Sequence, residues 1–209
     1  MTSPTKPPAS WPTGHIGWVF AGTAEFQGRV ATFLAEGGAQ GERLMFVADD
    51  PRPELWPRTL IDEGQLVILS TSEIYGADRA VVARTQRATF MATLERALAD
   101  GYKGLRVAAD NTSLIEDPER LAAWMLWEEQ ADQLMQSHPI TGLCAFDRAR
   151  ADADSLSAVM AVHGQLPPSL SIDERAPAGH DASTGAPDPV RKVRQVGRPP
   201  SHNGRQAPL

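Results

Sequence analysis

Five short apolar runs constrain this chain more than anything else in it: HIGWVF (15–20), RLMFVA (43–48), QLVILS (65–70), GLRVAAD (104–110) and PITGLCAFD (139–147). Runs of that length, apolar almost throughout and alternating with helical patterns, indicate strands of a parallel sheet covered on both faces. The intervening segments read as helices. One spans residues near 24–39, with Thr23 as its cap and Gly37, Gly38 and Gly41 as its stop. A second is opened by Pro53 and runs to about Glu63. A third lies near 79–100, with Val82, Thr89 or Phe90, Thr93 and Ala97 on one stripe, and Pro118 opens a fourth. A last helix is expected near 152–163. The fold expected is a three-layer α/β sandwich with a mostly parallel sheet.

Composition changes sharply at both flanks. Residues 1–13 contain four prolines and no apolar periodicity, and residues 169–209 are rich in Pro, Gly, Ser and charge without an aromatic side chain. Neither flank can bury enough apolar surface to offset its chain entropy, so the folded domain is expected over 14–168 with disordered segments on either side. The chain has 20 basic and 26 acidic residues, a formal net charge of −6. Residues 171–209 hold six basic against four acidic groups, a net +2, and Lys6 is the one charge before His15; setting these aside leaves −9 on the body. That field gives nucleic acid and anionic membranes no general attraction. A single cysteine, Cys144, excludes an internal disulfide and fits a reducing cytoplasm. No apolar stretch approaches the ~18 residues of a membrane helix.

In an open α/β sheet, ligands collect beyond the carboxyl ends of the strands. Those ends deliver FAGTAEF, then Asp49 and Asp50, then STSEIYG, then Asp110 to Ser113, then Asp147 and Arg148. A triphosphate cradle would need a Gly-rich loop closed by a lysine. The loop after the first strand, Ala21 to Phe26, has no lysine and carries Glu25, which repels phosphate. Asp49 and Asp50 can be a turn and helix cap, ligand contacts, or magnesium-binding acids; alternate strand residues face opposite ways, so at most one of the two faces a given pocket. The polar pocket residues expected are Asp49, Asp50, Glu73, Tyr75, Asp110 and Asp147, with Phe20 and Phe26 as apolar wall. No catalytic residue, cofactor or metal ligand is assigned.

Other groups have structural explanations. Arg106, a lone charge in an apolar strand, needs a buried partner, which Glu128 or Glu129 on the Trp-rich helix can supply, with Glu128 the choice. His15, His138 and His163 show no metal-ligand spacing, and His180 and His202 fall in the tail. Cys144 reads as a small buried hydrophobe, and Trp124 and Trp127 as helix packing. In the tail, Gly197-Arg198-Pro199 resembles the core of an AT-hook, with Val196 where an arginine usually stands, so only a weak contact with DNA is expected there.

Taken in order, HIGWVF, ATFLAEGGAQGERLMFVADD, STSEIYG, ALADGYKGLRVAADNT, WEEQADQLM, PITGLCAFDR and AVHG resemble the MEDS domain, a sensory domain of regulators in methanogens and methylotrophs. The resemblance implies a RecA- or KaiC-like fold that has lost its phosphate loop, with Gly41, Glu42, Asp49 and Asp50 as inherited scaffold. It also implies sensing of a small molecule. No output module follows the domain here, so output is expected through a separate regulatory protein partner in bacterial signal transduction or transcription control. The alternatives are a residual nucleotide-binding enzyme using Asp49 or Asp50 with magnesium, and an interaction scaffold with a docking tail.

Overall fold

The computed structural model describes residues 10–76 and 81–164. The basic tail with its Gly197-Arg198-Pro199, residues 1–9 of the proline-rich flank, and the 77–80 start of the expected third helix lie outside the described residues. Five strands form one sheet: β1 (His15–Phe20), β2 (Arg43–Ala48), β3 (Leu66–Ser70), β4 (Leu105–Asp110) and β5 (Ile140–Asp147). Every pairing is parallel, in the order β1-β5-β4-β2-β3. The first two strands coincide with the apolar runs read from sequence, and the others begin one residue later.

Helices α1 (Thr23–Gln40) and α2 (Arg58–Asp62) cover one face. Helices α3 (Thr71–Tyr75), α4 (Ala83–Ala99), α5 (Pro118–Ser137) and α6 (Ala153–Ala161) cover the other. Strand alternation divides the core accordingly. Ile16, Trp18, Phe20, Leu44, Phe46 and Ala108 point into the α1 layer, while Met45, Val47, Leu105, Val107, Cys144 and Phe146 point into the α4/α5 layer.

Several local expectations are corrected. The cap residue of α1 is Gly22, with φ at 90° and no side-chain bond from Thr23 to the helix. The Glu25 carboxylate instead turns back to accept from the Ala21 N–H at 2.8 Å. The helix also runs through Gly37 and Gly38 and stops only at Gly41, whose φ of 80° suits glycine. Gly37 is needed inside the helix because a Cβ there would lie 2.8 Å from Cγ of Arg106. The helix expected from Pro53 to Glu63 is broken in two: a 3₁₀ turn over Pro53–Leu55, then α2 after Pro57. Proline forces the residue before it into extended backbone, and Trp56 sits at φ −107°, ψ 149°, with its ring on Phe46.

On α4 the buried stripe is Gln86, Phe90, Leu94 and Ala97; Val82 is exposed and Thr93 lies beside the stripe. The STSEIY segment, read as a loop, is helical, because Ser70 and Glu73 form a reciprocal capping box. Trp11, in the proline-rich flank, is buried with its ring edge-on to Phe33 at 5.1 Å.

Candidate functional site

The order of the strands fixes where a ligand could sit. From β2 the chain leaves through α2 toward β3 in the α1 layer, whereas from β4 it leaves through α5 toward β5 in the opposite layer. Neighbouring strands β2 and β4 therefore send their connections in opposite directions, and the gap between their carboxyl ends is the topological switch point of the sheet. Asp49 follows β2 there, and Asp110 closes β4.

The two loops are stitched together by side chains. Asp49 Oδ1 accepts from the Ser113 hydroxyl at 2.9 Å. Arg150, beyond β5, lies 3.5 Å from Asp49 Oδ2 and 2.7 Å from Glu116 Oε1. The Thr112 hydroxyl donates to Asp110 Oδ1 at 2.5 Å and accepts from the Asp147 N–H at 2.9 Å, so the ends of β4 and β5 share one hydroxyl. Burial raises the Asp110 pKa above the usual carboxylate range, opposed by its two bonds from Thr112 and by Arg150. Burial works against the Arg150 charge too, but Glu116, Asp110 and Asp49 outweigh it and hold the guanidinium firmly protonated.

The structure thus brings Asp49, Asp110 and Asp147 to one place and puts the other expected pocket residues elsewhere. Asp50 is exposed and bonded to Arg52 at 2.9 Å, and neither acid caps the turn that follows. Glu73 is exposed and spent on capping α3. Phe20 and Phe26 are buried against each other, 4.7 Å between ring centres, within the α1-layer core. Tyr75 is buried on the opposite layer, edge-on to Trp124 at 5.5 Å. There it lines an interior cavity of about 20 Å³ together with Phe90, Trp127, Asn111 and Cys144. That is room for about one water molecule. Asn111 follows Asp110 directly, so the end of β4 faces the rim with one residue and this cavity with the next.

The ion pair expected between Arg106 and Glu128 does not form, because the two lie on opposite faces of the sheet. Arg106 points into the α1 layer, where its Nε donates to Glu42 at 2.6 Å, its Nη2 donates to Gln40 at 3.0 Å, and its guanidinium lies 4.8 Å from the centre of the Phe33 ring. Glu128 instead meets His15 Nε2 at 3.0 Å and His163 Nε2 at 3.3 Å. Cys144 Sγ joins them 3.5 Å from His15 Nε2. Among the described residues this quartet is the one group of histidine, cysteine and acid whose ligand atoms lie close enough together to hold a metal ion. Burial lowers the His163 pKa against the pull of Glu128, and burial pushes the Cys144 thiol well up.

Sequence spacing hides the quartet, since its members come from β1, α5, β5 and the end of α6. The signal that was present is chemical: a histidine, a glutamate and a cysteine each set inside an otherwise apolar segment. His138 stands apart, bonded to Ser137 and the Leu134 carbonyl.

A family model describing the MEthanogen/methylotroph, DcmR Sensory domain (MEDS) matches residues 14–164. No curated protein matches the chain. Among the described residues no helix is long and apolar enough to cross a membrane.

Proposed function

Since the chain belongs to the MEDS family of sensory domains, we propose that it is a non-catalytic receptor that reads a small molecule at the β2/β4 switch point and passes its state to a separate regulatory protein. The observation that carries this reading is the Asp49–Ser113–Arg150–Glu116 network, which joins three loops at the place where open α/β sheets take ligands. A polar ligand that engages Asp49 or Arg150 competes with the bonds tying those loops together, so it has a means of favouring one loop arrangement over another. It shifts that balance only by its difference in affinity for the two. Through the adjacent Asp110 and Asn111, a change at the rim reaches the aromatic layer under α4 and α5. Phosphate chemistry is disfavoured, because Glu25 occupies the Ala21 N–H that a phosphate loop would offer.

The test is calorimetric titration and thermal shift with a panel of small metabolites and Mg-ATP. The reading expects a ligand that raises the melting temperature of the wild-type chain and binds at least about tenfold more weakly to Asp49→Ala and Arg150→Ala, in line with the loss of one charged hydrogen bond. It expects that ligand to alter capture of a partner. Silence across the panel, binding indifferent to both substitutions, or phosphate release from ATP would remove it.

A further inference from the structure

The buried quartet is carried by four elements that are distant in sequence. His15 opens β1 and Cys144 lies on β5; the register pairs Gly17 with Cys144, so His15, two residues from Gly17, points to the same face. Glu128 projects from the middle of α5, and His163 follows α6. All four are buried, with relative exposures of 3%, 8%, 0% and 7% for His15, Cys144, Glu128 and His163. Their ligand atoms lie within 4.8 Å of one another.

These contacts are poorly explained as hydrogen bonds. Neither oxygen of Glu128 has a hydrogen-bond partner, and neither does His163 Nε2. His163 Nδ1 sits 2.6 Å from the Val159 carbonyl, which can only accept, so that nitrogen carries the hydrogen. In the neutral ring this leaves the Nε2 lone pair aimed at a carboxylate oxygen. Two buried acceptors facing each other at 3.3 Å need a proton or a metal cation between them.

The spacing is close to that of a coordination shell. Bonds of about 2.0–2.2 Å to nitrogen and oxygen and about 2.3 Å to sulfur place tetrahedral ligand atoms roughly 3.3–3.8 Å apart. Three of the separations, 3.0, 3.3 and 3.5 Å, lie in or near that range, and all six are within 4.8 Å, so a bound ion would draw the wider pairs inward. One outer group fits the pattern, since ligating imidazoles usually turn their other nitrogen to an acceptor. His163 does so to Val159, whereas His15 Nδ1 has no hydrogen-bond partner and lies 3.8 Å from Asp132 Oδ1. Gly17 makes room for it: a Cβ there would lie 2.6 Å from Cγ of His163.

We propose that His15, Glu128, Cys144 and His163 form a closed four-ligand site for a divalent cation of the zinc class. Two neutral imidazoles, one carboxylate and one sulfur are a donor set suited to Zn²⁺. On binding, the Cys144 thiol gives its proton to solvent, and the dication is then balanced by one thiolate and one carboxylate, so the buried site is neutral. With four protein ligands it keeps no open position for chemistry; its work is to clamp β1, β5, α5 and α6 together. This inference shares no residue with the rim network and stands or falls apart from it.

The experiment uses the full chain, produced with zinc in the medium and purified without chelator or metal-affinity tag. Metal analysis is expected to give one zinc per chain. Exchange for Co²⁺ is expected to give the visible absorption of a tetrahedral centre plus a thiolate-to-cobalt charge-transfer band. Cys144 is the only cysteine, so that band in the wild-type chain identifies it even if a variant fails to fold. Cys144→Ser is expected to abolish the band, His163→Gln to weaken Zn²⁺ binding by about tenfold or more, and chelation to lower the melting temperature by about 5 °C or more. A wild-type chain that takes up neither Zn²⁺ nor Co²⁺, with an unchanged melting temperature, overturns the proposal. Uptake with a cobalt spectrum indifferent to both substitutions overturns it equally, because the metal then sits elsewhere.

Discussion

Each face of the sheet buries one charged side chain from its apolar surroundings, and the two are satisfied in different ways. In the α1 layer Arg106 is met by directional acceptors: Glu42 and Gln40, both from the turn that ends α1, with the Phe33 ring against the guanidinium. In the α5 layer Glu128 is met by two imidazole nitrogens and, beyond them, a thiol, with no hydrogen bond to either of its oxygens. A guanidinium carries its donors in a fixed fork, so two neighbouring acceptors hold Arg106 through Nε and Nη2 while Nη1 stays unpartnered. A carboxylate that faces the lone pair of His163 calls for something positive between the two.

Removing the fork should show the largest effect. Arg106→Ala leaves Glu42 without its partner beside a cavity and is expected to cost about 3–5 kcal/mol in urea denaturation; a loss below about 1 kcal/mol would mean the ion pair does not brace this layer. Next come the two glycines packed against His163 and Arg106. Gly17→Ala drives a Cβ into His163 and is expected to cost about 2 kcal/mol by overpacking. Gly37→Ala meets Arg106 in the same manner but gains roughly 1 kcal/mol of helix propensity, so it should cost less. Equal costs in denaturation would erase that distinction.

Glu128→Gln sharpens the contrast through its sign. With zinc supplied it should weaken metal affinity at least about tenfold, or about 1.4 kcal/mol, whereas in chelator it should leave stability unchanged or raised, because an uncompensated buried charge is gone. Parallel melting curves with and without zinc decide the matter. Asp110→Asn is expected to do less and to depend on pH. The folded state raises this carboxyl's pKa, so its ionisation opposes folding: the penalty is absent below about pH 4, where the unfolded group is itself protonated, and grows as pH rises through the folded value. The variant should therefore be slightly more stable than wild type near pH 7 and indistinguishable from it in acid. Asp50→Ala, which removes an exposed pair with Arg52, should leave the melting temperature where it was.

The sheet was legible because four of its strands are buried on both sides and the edge strand β3 is at least half-buried, so each leaves an apolar run in the sequence. The alternation of runs and helices was enough to imply parallel pairing. Boundaries failed where one residue's local chemistry overrides a longer pattern. Pro57 cuts a helix that the sequence reads as continuous from Pro53, and Ser70 with Glu73 makes a helix from hydroxyl-rich residues that otherwise suggest a loop. The rim was legible in part: chain order places Asp49, Asp110 and Asp147 at strand ends, but only the pairing of β4 with both β2 and β5 brings their loops together. The quartet was hidden because its contact requires the first strand to pair with the last, which no local spacing encodes.

That pairing also brings the two limits of the family-matched region together. The imidazole of His15, one residue inside its start, and that of His163, one residue before its finish, are 4.2 Å apart. Force applied at residue 14 or at residue 164 therefore converges on a single point of the domain. Anything joined to either side pulls on the same knot, and loosening that knot would free both ends at once.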